Sequence, residues 1–221
     1  MINNNEDNNF IKLRESLSEK CHKNSIKNVV ARNIKKCNTM RGIVWELKKV
    51  FQKACLNKII TSDLIESYPK EFGEFKIYSN CDVSDGYLLI SGNNKANVSG
   101  DTLVVACDNS EINSYNGVTL YLTDSAKANA YNRTQVTAND DSSVVAFDNV
   151  KIRASKNCNI ELHGKSVVFA VENVSVDAYE ESSVKAFGFV NIKAHDKSTV
   201  VAYDSCNVEG FGKETNIIIR K

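Results

Sequence analysis

The chain has 221 residues, of which 42% are hydrophobic, and its 28 Lys and Arg nearly balance 27 Asp and Glu, so it can bury the core of one or two domains. No apolar run approaches the roughly 18 residues that a membrane-spanning helix needs, and the N-terminus MINNNEDNNF has neither the charged nor the apolar region of a secretion signal. We therefore predict a cytoplasmic protein with no membrane partner.

The cysteines also favour a reducing compartment. They are odd in number and contain no C-x-x-C pair, which argues against both a disulfide framework and a zinc knuckle. The sequence predicts no metal site and no cofactor. The seven cysteines are Cys21, Cys37, Cys55, Cys81, Cys107, Cys158 and Cys206.

The formal charge of +1 conceals two chemically different halves. Residues 1–60 carry 13 Lys and Arg against 5 Asp and Glu, whereas residues 61–221 carry 15 against 22. This asymmetry predicts a basic N-terminal region and an acidic remainder.

Residues 1–74 are predicted to form a basic helical head that caps the rest of the protein. Apolar residues recur there at helical spacing, and TSDLIESYPKEFG predicts a short capped helix that ends before Pro69. The apolar positions that share a face are Phe10, Leu13 and Leu17, then Ile26, Val30 and Ile34, then Ile43, Leu47, Val50 and Ala54.

The basic residues of this head allow two interpretations. The helices can simply cover an open β-edge, with their charges solvated, or the charges can contact the phosphates of a nucleic acid. The candidate nucleic-acid-binding residues are Lys27, Arg32, Lys35, Lys36, Arg41, Lys48, Lys49 and Lys53.

Residues 75–97 are predicted to be a junction and a first irregular coil, and residues 98–221 an octapeptide-repeat β-solenoid with a C-terminal capping strand. From Ala106 to Gly210 a small or apolar residue recurs every eight residues without an insertion, and a second apolar column runs two places earlier, from Val104 to Val208. Spacing by two predicts strands, and the fixed period predicts a solenoid.

Two places after the alanine column stand residues that tolerate tight turns, mostly Asp, Asn and Gly. Each octapeptide is therefore one short strand and one turn, and because every strand presents the same inward face, we expect parallel stacking. The carboxylates among these turn residues that would line one edge are Asp108, Asp124, Asp140, Glu172 and Asp204.

A second periodicity sets the size of one coil. The residue after the alanine column is aromatic or His in every other octapeptide, which indicates 16 residues and two strands per coil. We therefore predict a mostly β protein, a two-sheet parallel β-solenoid of about seven coils with an α-helical N-terminal cap. These residues, which we predict to stack as a ladder and to bind a partner, are Tyr115, Tyr131, Phe147, His163, Tyr179, His195 and Phe211.

Units such as STVVAYDS, SSVVAFDN and SSVKAFGF resemble the tandem ATVxAYDS-type octapeptide repeats of bacterial, prophage and mobile-element proteins. The resemblance covers about residues 98–213 and departs from the pattern at Leu162, which replaces the alanine, and at ETNIIIRK, where the register slips. It implies a solenoid and, by analogy, an inhibitor or regulator of a host nucleoprotein such as a CRISPR effector.

Enzyme chemistry has little support in the sequence. No phosphate-binding loop, nucleophile elbow or H-E-x-x-H pattern occurs, and His163 and His195 lack partners for a metal set. We predict a non-enzymatic interaction protein with a protein or ribonucleoprotein partner and no small-molecule substrate. Direct nucleic-acid binding through the head, and a structural or assembly role through the solenoid ends, stay open as alternatives.

Overall fold

A computed structural model describes residues 4–203 and 205–220. The chain divides into two compact units, Met1–Ser79 and Asn80–Lys221. Among the described residues, no helix combines the length and the apolar composition needed to cross a bilayer.

The first unit is helical, and its helices begin where the sequence offers caps. The Thr39 and Thr61 hydroxyls accept hydrogen bonds from the N–H groups of Gly42 and Leu64, which would otherwise lack partners at a helix start. Pro69 occupies the first turn of the last helix, where its missing N–H is not needed. The elements are α1 (Asn4–Lys23), α2 (Asn28–Lys36), α3 (Met40–Lys48), α4 (Phe51–Leu56), α5 (Ser62–Ser67), α6 (Pro69–Gly73) and β1 (Ile77–Ser79).

The predicted apolar faces lie inward in this unit, with two local differences. The stretch after Met40 is two helices because Val50 leaves the helical region, with φ −131° and ψ 24°. In addition, a short helix that was not predicted, α6, begins at Pro69. Leu17, Ile26, Val30, Ile34, Ile43, Leu47, Val50 and Ala54 are buried, whereas Phe10 and Leu13 are half-buried.

The second unit is a parallel β-solenoid of about nine coils with roughly 16 residues in each, which confirms the predicted fold class. The coils exceed the predicted seven because residues before 98 already pair in register. Its strands are β2 (Val83–Ile90), β3 (Lys95–Ala106), β4 (Glu111–Tyr115), β5 (Thr119–Leu122), β6 (Lys127–Ala130), β7 (Gln135–Ala138), β8 (Ser143–Ala146), β9 (Lys151–Ala154), β10 (Asn159–Leu162), β11 (Val167–Val171), β12 (Ser175–Ala178), β13 (Ser183–Phe187), β14 (Asn191–Ala194), β15 (Thr199–Tyr203), β16 (Asn207–Gly210) and β17 (Asn216–Arg220).

The strands form two faces, because each strand pairs with the one after next along the chain. Face 1 comprises the second halves of β2 and β3 and then the odd-numbered strands from β5 to β17. Face 2 comprises the first half of β3 and then the even-numbered strands from β4 to β16. Equivalent residues of successive coils therefore lie side by side, for example Val184 beside Val200.

The core between the faces is built from the two predicted apolar columns. From Val104 to Ala202, the residues of these columns on both faces are at most 4% exposed. Leu162, which departs from the alanine pattern, is fully buried as well and lies beside Ala146 and Ala178. Leu122 is likewise buried between Ala106 and Ala138. The interior therefore accepts a leucine among the alanines of each face, but the repeated alanine shows how narrow it is.

The turn position two places after the alanine column adopts the left-handed conformation in both edges of the solenoid. This explains the Asp, Asn and Gly found there, because these residues tolerate positive φ. Asp204 belongs to the same sequence position but lies outside the described residues. The residues with positive φ at this position are Asp108, Asn116, Asp124, Asn132, Asp140, Asp148, Lys156, Gly164, Glu172, Glu180, Gly188 and Asp196.

The carboxylates at this position connect successive coils. Each accepts a hydrogen bond from the backbone N–H of the equivalent residue one coil earlier, so a stack of acidic side chains is held by backbone donors. The acceptor–donor pairs are Asp108 with Gly92, Asp124 with Asp108, Asp140 with Asp124, Asp148 with Asn132, Glu172 with Lys156, Glu180 with Gly164, and Asp196 with Glu180.

Enlarging a core alanine should destabilise the solenoid. Ala178 is fully buried between Leu162 and Ala194, so Ala178→Phe should lower the free energy of unfolding by roughly 1 to 3 kcal/mol. Ser175→Phe, on the exposed side of the same strand, serves as the control. Urea unfolding measures both, and an unchanged stability for Ala178→Phe would place this residue outside a tightly packed core.

The Asp140 carboxylate should make stability depend on pH. It accepts hydrogen bonds from the Lys156 ammonium and the Thr123 hydroxyl, each at 2.5 Å, and these bonds lower its pKa. A lowered pKa in the folded state stabilises the protein above the ordinary carboxyl pKa of about 3.9, and this contribution disappears as the pH falls through the lowered value.

Asp140→Asn should therefore lower the melting temperature by about 1 to 4 °C at neutral pH. The difference from the unsubstituted protein should vanish in acid, where the native carboxyl is also protonated. Asp101→Asn, at an exposed carboxylate, is the control. A difference that persists at the most acidic pH would mean that the charge of Asp140 is not what stabilises this turn.

Candidate functional site

An aromatic ladder, composed of Tyr115, Tyr131, Phe147, His163, Tyr179, His195 and Phe211, runs along one edge of the solenoid. Each ring follows the last inward residue of a face 2 strand, so the parallel register places successive rings one coil apart. Neighbouring ring centroids are 4.5 to 5.1 Å apart, with interplanar angles of 6° to 14°. The predicted stacking is confirmed, whereas its role in binding stays a prediction.

The ladder presents the edges of its rings and not their faces. The first six rings are half-buried, because each ring covers the face of its neighbours, and Phe211 at the end is 59% exposed. A nucleic-acid base inserted between two rings would need a centroid spacing of about 6.8 Å, two stacking steps of 3.4 Å. The hydrogen-bonded backbone fixes the spacing near 4.8 Å, so the ladder has no room for bases between its rings.

Acidic side chains surround the middle of the ladder. Glu161 Oε1 lies 2.7 Å from His163 Nε2, and the pKa of Tyr179 is raised, first by partial burial and then by the charges of Asp177, Glu161 and Asp196. A tyrosine pKa rises near carboxylates because they disfavour a second negative charge. The same field repels phosphates and attracts cationic side chains.

The two histidines of the ladder are separated by a tyrosine. Tyr179 stacks on His163 at 5.1 Å and on His195 at 4.5 Å, so the imidazoles lie on opposite faces of its ring. Asp196, the sequence neighbour of His195, directs its carboxylate to the N–H of Glu180. This geometry gives Asp196 a structural partner and directs it away from a catalytic pairing with His195.

Among the described residues, one group of possible metal ligands comes together that the sequence did not predict. The Cys107 thiol and the carboxylates of Asp108 and Asp124 offer atoms within 4.8 Å of one another. Both carboxylates already accept backbone N–H groups at the turn, and the group lies on the surface. Its acidic members are therefore accounted for by the turn structure.

A second aromatic patch lies on the opposite edge of the solenoid, where two residues that follow the alanine column of face 1 are aromatic as well. Phe187 and Tyr203 stack at 4.3 Å with an angle of 4°, and Phe169 packs against Phe187 at 5.4 Å. The Lys185 ammonium lies over both stacked rings, 5.5 and 5.8 Å from their centroids. The signal in the sequence was the pair of aromatic residues directly after Ala186 and Ala202 on face 1.

The predicted basic residues of the helical unit divide into two groups with different surroundings. Lys27, Arg32, Lys35 and Lys36 belong to α2 and its N-terminal end and are exposed. In the second group Arg41, Lys49 and Lys53 are exposed and Lys48 is half-buried. Arg41 pairs with Glu74 at 2.7 Å and Lys49 pairs with Glu46 at 2.6 Å, which reduces the charge that these two residues offer to a ligand.

Three members of the second group, Arg41, Lys48 and Lys49, lie near Trp45 and its neighbour Phe75. Trp45 is the single tryptophan of the chain, and no sequence pattern marked it. Its side chain is 50% exposed and packs 5.6 Å from Phe75. The Lys49 ammonium lies over Trp45 at 5.4 Å, and Arg41 and Lys48 lie over Phe75 at 5.9 and 5.8 Å. Exposed rings among cations are a feature of surfaces that bind single-stranded nucleic acids.

The two candidate surfaces therefore differ in chemistry. The aromatic ladder offers stacked ring edges among carboxylates, and the Trp45 cluster offers open rings among cations. Comparison with protein families, with curated proteins and with solved structures finds no match to this chain.

Proposed function

We propose that the chain is a non-enzymatic interaction protein that binds a protein partner, alone or within a ribonucleoprotein, along the aromatic ladder. The observation that carries this proposal is the unbroken stack of seven rings with half-exposed edges. Solenoids commonly offer extended binding surfaces, and aromatic residues contribute strongly to protein interfaces.

Ring spacing and charge favour a protein over a nucleic acid at this surface. Centroid distances of 4.5 to 5.1 Å leave no space for bases, and Glu161, Asp177 and Asp196 would repel phosphates. A protein partner with Lys or Arg side chains beside apolar ones would complement this surface. Its cations would lie against the carboxylates, and its apolar groups would pack against the ring edges.

The narrower proposal is that the partner is a host nucleoprotein such as a CRISPR effector and that the protein comes from a phage or mobile element. Its support is the resemblance of the octapeptides. A cytoplasmic location belongs to the same proposal and is supported by the burial of Cys21, Cys55 and Cys158. Burial raises the pKa of Cys21 to about 11 and raises that of Cys158, which makes both thiols unreactive at neutral pH.

A photo-crosslinking experiment tests the ladder as the binding surface. Replacing Tyr131 or Tyr179 with p-benzoylphenylalanine keeps an aromatic ring in the stack and places the reactive group at its outer edge. The same replacement of Tyr121, a half-buried tyrosine on the outside of face 1, is the matched control. Irradiation of host cells should give adducts to the same protein from both ladder positions.

The charge of the surface gives the second half of this test. Glu161→Lys with Asp177→Lys should weaken binding of the crosslinked protein by about tenfold or more, because rim charges steer and orient a cationic partner. Asp141→Lys, at an exposed carboxylate on the opposite edge of the solenoid, should leave binding unchanged. Equal adducts from Tyr121, or binding that ignores the double charge reversal, would reject the ladder as the interface.

Direct binding of a nucleic acid by the helical unit is a second candidate function, and the Trp45 cluster is the observation that favours it. Affinity for single-stranded RNA or DNA should then fall with added salt, with a log–log slope of about −0.7 to −0.9 for each phosphate neutralised. Lys35→Glu with Lys36→Glu tests the predicted phosphate contacts of α2 and should weaken binding without unfolding the protein, because both side chains are exposed. Trp45→Ala should weaken binding through the loss of stacking.

Fluorescence anisotropy with a labelled oligonucleotide measures these affinities at low and physiological salt. Lys193→Glu and Lys213→Glu, at exposed positions of the solenoid, are the control substitutions. Lys49→Glu is unsuitable as a charge reversal, because it would place a second carboxylate beside Glu46, which is buried and pairs with Lys49. A wild-type protein with no salt-sensitive binding would eliminate this candidate function.

A further inference from the structure

The outside of face 1 carries positive charge without carboxylates. None of the face 1 strands from β5 to β17 contains Asp or Glu, whereas the face 2 strands from β4 to β16 contain charges of both signs. Residues 61–221 as a whole carry 22 Asp and Glu against 15 Lys and Arg, so these cations are concentrated against an acidic background. The Lys and Arg of these face 1 strands are Lys151, Arg153, Lys185 and Arg220.

Two adjoining grooves bring cations together around β9. Lys151 lines both grooves, Arg153 lines the groove on face 1, and Arg133 lines the groove at the turn before β7. All three side chains are exposed, and within the described part of the chain none of them pairs with a carboxylate. No Asp or Glu lines either groove. Because like charges repel, an anion bound among these side chains would stabilise their arrangement.

The carboxylates of the neighbouring turns have other partners. Asp148 accepts the N–H of Asn132 at 3.2 Å, and Glu172 accepts the N–H of Lys156 at 3.1 Å. Asp140 pairs with the ammonium group of Lys156. The turn structure therefore accounts for these three carboxylates, whereas nothing in the fold requires the cations on the outside of face 1.

An aromatic ring lies between two cations in the middle of this face. The parallel register places Phe169 beside Arg153 on one side and beside Lys185 on the other, so each step is about 4.8 Å. Phe169 is 41% exposed, and its ring is tilted by 45° to the ring of Phe187. In contrast to the rings of the aromatic ladder, it is not covered by a parallel ring.

We propose that this surface, the face 1 groove composed of Arg133, Lys151, Arg153, Phe169 and Lys185, binds a single-stranded nucleic acid. The cations would contact phosphates, and the exposed ring would stack on a base. Gln135 and Thr137 line the same groove and offer an amide and a hydroxyl to the edges of unpaired bases.

The combination of groups favours a single strand over other polyanions. A duplex offers phosphates, but its bases are paired and stacked on each other and cannot stack on Phe169. An acidic polypeptide would neutralise the cations, but its carboxylates would gain nothing from an exposed aromatic ring. Unpaired nucleotides use both the charge and the ring.

The face 1 groove is separate from the surfaces described above. The aromatic ladder follows the strands of face 2, and the Trp45 cluster belongs to the helical unit. Binding at the face 1 groove therefore depends on neither of the functions proposed for them, and substitutions can alter each surface without changing the other two.

Fluorescence anisotropy of the full chain with labelled oligouridine and oligothymidine tests the face 1 groove with RNA and with DNA. The log–log dependence of affinity on salt should have a slope of about −2 to −3, because four cations each neutralise one phosphate at about −0.7. Lys151→Gln with Arg153→Gln should weaken binding by about tenfold or more and make the slope shallower by about 1.4.

The matched control removes the same charge from the other face. Lys127→Gln with Lys193→Gln changes two exposed cations of face 2 strands and should leave the affinity unchanged. Equal losses in the two double variants would mean that only net charge matters and would overturn the proposal. A wild-type protein that binds neither oligonucleotide would do the same.

Photo-crosslinking of the wild-type protein locates the bound strand. An oligonucleotide that contains 5-iodouracil crosslinks to nearby aromatic side chains on irradiation, and peptide mass spectrometry should find the adduct on Phe169. An adduct on Trp45 or Phe75 with none on face 1 would assign binding to the helical unit and reject the face 1 groove. Polyglutamate or a duplex that competes as well as the single strand would reject a single-stranded nucleic acid as the ligand.

Discussion

The in-register parallel backbone ladder is the interaction on which the rest of this structure depends. Because each residue pairs with the one sixteen places later, every side chain stacks on its equivalent in the next coil, about 4.8 Å away. A residue type can therefore recur at a repeat position only if its side chain can stack on identical side chains in the neighbouring coils. Valine, isoleucine and alanine satisfy this in the core, and flat rings satisfy it at the edge.

Carboxylates are the residue type for which such a column should be most costly, yet they recur at the turns. The structure resolves this conflict by giving each carboxylate the N–H of the preceding coil, as Asp124 does for Asp108 and Asp196 does for Glu180. Where the column changes sign, Lys156 pairs directly with Asp140. The acidic character of the solenoid is thus largely a property of its turns, and these carboxylates keep their charge while they connect the coils.

The sequence predicted those features that depend on local period. The spacing of Val and Ala predicted strands, and the alternation of Tyr115, Tyr131 and Phe147 predicted the length of one coil. Together, these two predictions implied that the rings stack. Features that depend on contacts between distant segments were not predictable. The Trp45–Phe75 cluster joins residues thirty places apart on a surface without a repeat, and no periodicity marks such a contact. Likewise, the extra residue before β17 shifts the pairing from sixteen places to seventeen, but the packing of the half-buried Ile217 against Gly210 becomes evident only in three dimensions.

Rigid stacking also determines where specificity can lie on the aromatic ladder. The rings are held at one spacing and one orientation, so each coil presents a ring edge at the same place, which is apolar at Phe147 and Phe211 and carries a hydroxyl or an imidazole nitrogen at the tyrosines and histidines. What differs from coil to coil is the outward residue in the middle of each face 2 strand, which is Val145, Glu161, Asp177 and then Lys193. These positions neither enter the core nor shape the turns, so they can change without cost to the fold. The ladder therefore supplies a regular row of ring edges, and the adjacent column of side chains decides which partner, and which position along the solenoid, is favoured.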